Sequence, residues 1–173
     1  IDALSYHQLF LPTPSEKRLY VATAGNLSES QPQYIQYLIE LYRPKQIVLA
    51  NDNDKGGVFQ NVKLMGVLMH PDSSNNLRVT IELHGQKMLL SFRYEVDSPH
   101  KEVHAIEKMA NNYFKTAKKF VAPRNDGWVD IHLENTSAHL EVLEKLLLKE
   151  KAPFNWLIVH KPHSKDFNED LQW

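Results

Sequence analysis

The chain of 173 residues contains no cysteine. This absence excludes disulfide bonds, zinc–thiolate sites, iron–sulfur clusters and cysteine nucleophiles, and it favours a reducing cytoplasm. Neither sign of charge dominates either, since 20 Lys and Arg residues balance 21 Asp and Glu residues to a net charge of −1. The chain is therefore not a polybasic nucleic-acid coat, and any contact with nucleic acid requires a local patch.

Long apolar runs are also missing. No run approaches the roughly 20 residues that a membrane-spanning helix needs, and no secretory signal is visible. We therefore expect a cytoplasmic protein with no membrane partner. The composition is that of an ordinary globular chain, with 42% apolar and 24% charged residues, and the length suits one domain or one domain with an insertion.

The first part of the chain alternates between helical and strand patterns. A continuous apolar run at 46–50 is typical of a strand buried on both faces, as in a parallel sheet. The order helix, strand, helix, strand indicates an α/β fold. The patterns predict helices at 3–11, 34–42, 58–69, 103–121 and 137–149, and strands at 18–22, 46–50, 77–84, 87–96, 128–133 and 154–159, with a hairpin turn at Gly85.

An acidic cluster follows the strand at 46–50. Asp52 and Asp54 are spaced to lie on the same side of an extended segment, and Gly57 comes three residues later. Two carboxylates placed together repel each other unless a cation lies between them. Ligands of open α/β sheets bind at this edge, and hard oxygen donors prefer Mg²⁺ or Mn²⁺. The alternative is a solvated loop in which Asn and Asp simply form turns.

Residues 47–57 resemble the acidic motif of Toprim domains, which bacterial primases, type I and II topoisomerases and certain nucleases share. Three further segments agree with this resemblance. Residues 1–5 resemble the start of the first Toprim helix, and residues 19–27 are similar to the strand and glycine turn found in primases. Residues 165–171 resemble the Lys-Asp-Trp-Asn-x-x-Leu ending of Toprim-like domains in plasmid mobilisation and primase-type proteins.

The resemblance implies a mostly parallel Toprim-like sheet flanked by helices, with an inserted α+β unit of hairpin, helix, strand and helix. Residues 1–70 would form the N-terminal part of the core, 71–152 the inserted unit, and 153–173 the last core strand and the ending. The family also carries an essential glutamate, which by its pattern would lie two or three residues before Ile1. We therefore expect the chain to be a fragment that is inactive alone.

The resemblance further implies Mg²⁺-dependent (or Mn²⁺-dependent) phosphoryl or nucleotidyl transfer on nucleic acid, with DNA favoured as the partner. Asp52 would be the leading catalytic metal ligand and Asp54 the second. Four residues would line the phosphate or nucleic-acid side: Gly25, Asn26, Lys55 and Gly57. Asp166 is a secondary candidate, for which the alternative is the N-cap of a short terminal helix.

A basic patch is the other candidate for contact with nucleic acid. The predicted helix at 103–121 carries Lys108, Lys115, Lys118 and Lys119, with Tyr113 and Phe114 between them. Such lysines contact phosphates without sequence specificity, and the alternative is an ordinary solvated helix face. This patch keeps open a non-catalytic module that binds DNA or a protein partner. His160 and His163 lie near Asp166 in the sequence, where contact with a phosphate is one interpretation; the alternative, which we favour, is an ordinary surface loop.

Overall fold

A computed structural model describes residues 2–23, 30–68, 77–94, 99–115, 120–124, 128–150 and 156–171. In chain order, the elements are α1 (Asp2–Leu9), α2 (Gln31–Tyr42), β1 (Ile47–Leu49), α3 (Lys55–Leu68), β2 (Leu77–His84), β3 (Lys87–Tyr94), α4 (Pro99–Tyr113), β4 (Phe120–Pro123), β5 (Val129–Glu134), α5 (Ser137–Glu150), β6 (Leu157–Val159) and α6 (Phe167–Asp170). The chain divides into two compact units, which are Ile1–Asn61 with Trp156–Trp173, and Val62–Asn155.

The first unit contains a parallel pair of strands, β1 and β6, with Leu49 opposite Val159. Backbone hydrogen bonds extend the pair at both ends, since Ile47 N donates to Trp156 O and His160 N donates to Leu49 O at 2.9 Å. Parallel neighbours end at the same edge of a sheet. The loops that follow β1 and β6 therefore leave the sheet side by side.

Helices α1 and α6 pack together in the same unit through aromatic side chains. Tyr6 and Phe167 are both buried, and their ring centroids lie 5.2 Å apart in an edge-to-face arrangement. Phe10 contacts both rings from the end of α1. The Ser5 hydroxyl donates to Asn168 Oδ1, which ties the two helices together with a polar contact.

The second unit contains an antiparallel sheet with the strand order β2-β3-β5-β4. Gly85 has φ 63°, which the turn between β2 and β3 requires and glycine adopts without strain. Helix α4 packs against β3, β5 and α5. The core of this unit includes Met88, Leu90, Phe92, Val129, Ile131 and Leu133 of the sheet, and Leu140, Leu143, Leu146 and Leu147 of α5.

The structure confirms the α/β class and corrects two elements. Residues 18–22 form no strand, because Leu19 and Val21 are 59% and 49% exposed and no described strand pairs with the segment. The helix predicted over 103–121 ends at Tyr113, and its last predicted residues belong to β4, where Val121 pairs with Ile131 of β5. Among the described helices, none has the length and apolar character needed to cross a membrane.

Candidate functional site

Asp54 has a clear local role at the start of α3. Its Oδ1 atom accepts a hydrogen bond from Gly57 N at 2.9 Å, and its carbonyl accepts one from Val58 N at 3.0 Å. A carboxylate in this position satisfies an amide that the helix leaves unpaired and lies favourably against the helix dipole. Asp54 therefore explains why α3 begins at Lys55. Within the described residues, its Oδ2 atom makes no hydrogen bond.

Gly57 lies in direct contact with the backbone of Asp52. A Cβ atom added to Gly57 would lie 1.9 Å from Asp52 O and 2.7 Å from Asp52 C. No side chain fits at such distances. Packing therefore requires glycine at position 57, because the first turn of α3 lies against the acidic loop that contains Asp52.

Two further contacts hold the acidic loop, which comprises residues 51–54. Asn53 N donates to Lys165 O at 2.7 Å, which joins this loop to the one after β6. On the other side, Asn51 Nδ2 donates to Oδ1 of the fully buried Asn61 at 2.7 Å. The two loops at the carboxyl edge of the parallel strands are thus connected, and Asp52 lies between these fixed points, partly exposed.

The loop after β6 is shaped by its own carboxylates. Asp166 is the N-cap of α6, since its Oδ1 atom accepts hydrogen bonds from Asn168 N and Glu169 N, each at 2.9 Å. The N-cap interpretation of Asp166 is therefore confirmed. Asp170 accepts hydrogen bonds from the amides of His163 and Ser164 at 2.8 Å, and the Ser164 hydroxyl donates to it and lowers the pKa of its carboxyl.

His160 is not the surface-loop residue that the sequence suggested. Its side chain is half-buried, and its Nδ1 atom lies 2.5 Å from the Tyr6 hydroxyl oxygen. The rings of Tyr6 and Phe10 contact it, with centroid distances of 5.8 and 5.3 Å. A histidine directly after a strand was the available signal, but its partner lies 154 residues away in the sequence. His163 is exposed, as expected.

The donor chemistry of the acidic loop suits a hard cation. Among the residues described, no group of three or more His, Cys, Asp or Glu side chains is arranged to hold a metal ion. Mg²⁺ in proteins commonly uses only one or two carboxylates, and takes water and substrate phosphates as its other ligands. Asp52 and Asp54 meet that requirement by residue type, so the loop fits Mg²⁺ or Mn²⁺ in a site rich in water.

The remaining predicted residues are distributed over both units. Gly25, Asn26, Lys118 and Lys119 lie outside the described residues. Lys55 is the exposed first residue of α3, in the first unit, whereas Lys115 is exposed just after α4, in the second. Phe114 is buried at 2% exposure and contributes to the core of the second unit. The aromatic residue beside Lys115 is therefore not available to stack on a base.

Comparison with known proteins finds a match to one family model, which covers the first 84 residues. Residues 1–84 match a family model described as Toprim-like. The matched segment includes the acidic loop and α3, and it ends at the last residue of β2. The Lys165–Leu171 ending lies outside it. No curated protein and no solved structure matches this chain.

Proposed function

Because residues 1–84 match a Toprim-like family model, we propose that this chain supplies the metal-binding part of a site for Mg²⁺-dependent phosphoryl or nucleotidyl transfer on nucleic acid. Toprim domains generally bind a metal ion and process nucleic acids. In this proposal Asp52 and Asp54 hold the ion, and DNA is the nucleic acid, as in the primase and mobilisation-type proteins that the sequence resembles.

The contact between Gly57 and Asp52 carries the proposal. The backbone of Asp52 lies so close to Gly57 that a Cβ atom would not fit, which an ordinary solvated turn does not require. A metal ligand binds better when its backbone is already held in one position. The hydrogen bonds from Asn51 and Asn53 serve the same purpose on either side of Asp52. These three contacts support a ligand whose position is set before the ion binds.

Each residue of the loop has a distinct role in the proposed site. A bound divalent ion would supply electrostatic stabilisation of charge on phosphoryl oxygens. Asp52 provides a carboxylate at the carboxyl edge of the strands. Asp54 combines capping of α3 through Oδ1 with a second oxygen, Oδ2, that can reach the ion directly or through water. Lys55 adds a positive charge at the start of α3, where a phosphate would approach.

The proposal also includes the other residues and the domain boundaries predicted from the sequence. The proposal keeps Gly25 and Asn26, which lie outside the described residues, as phosphate-binding candidates, and it keeps Asp166, the N-cap of α6, as a secondary residue. The proposal also treats residues 71–152 as an insertion in the Toprim core and assigns contact with the nucleic-acid backbone to Lys115 and to Lys118 and Lys119, which lie outside the described residues.

Binding of a fluorescently labelled single-stranded DNA, measured by anisotropy with Mg²⁺ and with EDTA, tests the proposal. The informative variant is Asp52→Asn/Asp54→Asn, because asparagine caps a helix as well as aspartate does and the fold should persist. Glu141→Gln removes one exposed carboxylate of α5 and is the matched control. We expect Mg²⁺-dependent binding in the wild type and the control, and loss of the Mg²⁺ effect in the double variant.

The opposite outcome would favour the non-catalytic module. A metal site would be contradicted if the affinity for DNA were the same with Mg²⁺ and with EDTA and were unchanged in the double variant. In that case we expect the affinity to fall with added salt and in Lys115→Ala. Such binding would rest on phosphate contacts alone.

A further inference from the structure

The end of β6 places a histidine beside the acidic loop. His160 N donates to Leu49 O, so His160 continues β6 next to Ala50, the residue that follows β1. Residues opposite each other on neighbouring strands share a face, and residues two apart in an extended segment lie on the same side. The register therefore places His160 next to Ala50, two residues before Asp52.

The ring of His160 is held through one nitrogen. Nδ1 is paired with the Tyr6 hydroxyl at 2.5 Å, and the rings of Tyr6 and Phe10 limit the rotation of the imidazole. In the part of the chain that the structure describes, Nε2 makes no hydrogen bond. A ring that is oriented through one nitrogen leaves the other as the nitrogen that a ligand would contact.

The hydrogen bond between the Tyr6 hydroxyl and Nδ1 is coupled to the proton position on His160. A tyrosine hydroxyl is protonated at neutral pH, and burial raises the pKa of Tyr6 further, so this hydroxyl is available to donate to Nδ1. A neutral imidazole that accepts at Nδ1 carries its proton on Nε2. His160 then presents an N–H donor, which suits a phosphate oxygen.

We propose that His160 is a phosphate-binding residue of the acidic-loop site, donating from Nε2 to a phosphate oxygen of the nucleic acid, and that Tyr6 positions its ring. This inference rests on the proposed function, since a cation at Asp52 is needed to offset the repulsion between the carboxylates and the phosphate. It extends the site from β1 to β6 and adds α1 as a supporting element.

Four variants separate phosphate binding from simple packing. His160→Phe keeps an aromatic ring in the cluster and removes both nitrogens. His160→Gln loses the ring but retains an amide donor near the position of Nε2. Tyr6→Phe keeps the ring contacts and removes only the positioning hydrogen bond. His163→Gln, in the same loop but exposed, is the matched control.

The affinity of each variant for a short oligothymidylate in saturating Mg²⁺ is the first readout. We expect His160→Phe to weaken binding about tenfold, as for one hydrogen bond to a charged acceptor. His160→Gln should restore part of that loss, Tyr6→Phe should give an intermediate affinity, and His163→Gln should match the wild type. Equal affinity of His160→Phe and the wild type would overturn the proposal.

Mn²⁺ provides the second readout and separates this inference from the proposed function. In histidine ring ¹H–¹⁵N spectra, assigned by the signal missing from His160→Gln, we expect Mn²⁺ to broaden the His160 resonances more than those of His163. If Mn²⁺ binding still requires Asp52 but Mn²⁺ broadens neither the His160 nor the His163 resonances, the role of His160 alone would be overturned. Mn²⁺ binding that Asp52→Asn leaves intact would overturn the proposed function itself.

Discussion

Replacement of Gly57 by alanine should disrupt the contact between α3 and the acidic loop. The new Cβ atom would lie 1.9 Å from Asp52 O and 2.8 Å from Asp52 N, so backbone atoms must move. Overpacking of this kind costs about 1–3 kcal/mol, and a backbone neighbour favours the upper end. Alanine recovers about 1 kcal/mol through its higher helix propensity. We therefore expect Gly57→Ala to lower the free energy of unfolding by about 2 kcal/mol, the difference between these two estimates.

Gly56 offers a matched control one residue earlier in the same helix turn. A Cβ atom there would meet only Asp54 Oδ1 at 3.2 Å, the end of a side chain that can shift. Gly56→Ala should therefore be neutral or stabilising by up to about 1 kcal/mol, since alanine favours the helix. Urea denaturation followed by circular dichroism measures both variants. If Gly57→Ala were as stable as Gly56→Ala, the close approach that we describe would be wrong.

Three further predictions concern single side chains. Asp166→Ala should cost about 1 kcal/mol by removing the N-cap of α6, whereas Asp166→Asn should cost much less, which thermal unfolding can compare. The lowered pKa of Asp170 means that its ionised form stabilises the fold above the ordinary carboxyl pKa and that this contribution is lost as the pH falls through the folded value. The stability difference between the wild type and Asp170→Asn should therefore be constant above about pH 4, since the ordinary pKa of Asp is near 3.9, and should shrink as the pH falls further; a difference that stayed constant at every lower pH would contradict the linkage. Gly85→Ala should destabilise the second unit by about 1 kcal/mol because φ is positive there, and Gly85→Asn should destabilise it less; equal urea midpoints for the two variants would count against this account.

The elements that could be predicted from sequence are those with a local cause. The hairpin of β2 and β3 follows from alternating strands on either side of a glycine, and Gly85 indeed has a positive φ. Strand β1 follows from its continuous apolar run, and α5 from its leucine spacing. In each case the residues that determine the structure are close to each other in the sequence.

The secondary-structure predictions were wrong where pairing with a residue distant in sequence determines the structure. Residues 18–22 have the composition of a strand, yet a strand also needs a neighbour to pair with, and sequence alone does not reveal one. Residues 120 and 121 fit the helical spacing of the segment before them, but pairing with β5 overrides it.

The candidate site likewise combines features that the local sequence predicts with features that depend on distant contacts. The carboxylates and the glycine of the acidic loop could be identified from their spacing. Their packing could not, because the close approach of Gly57 to Asp52 depends on how α3 turns back. The contact of His160 with Tyr6 joins residues near opposite ends of the chain, and no periodicity signals such a pair.

Calorimetric titration of Mn²⁺ and Mg²⁺ into the wild type and Asp52→Asn/Asp54→Asn tests the central claim most directly. The titration must extend to millimolar ion, because a site with two carboxylates and otherwise water ligands binds weakly. Binding to the wild type that is absent from the double variant is the predicted result. Identical heats for the two proteins over the whole range would contradict a metal site at the acidic loop.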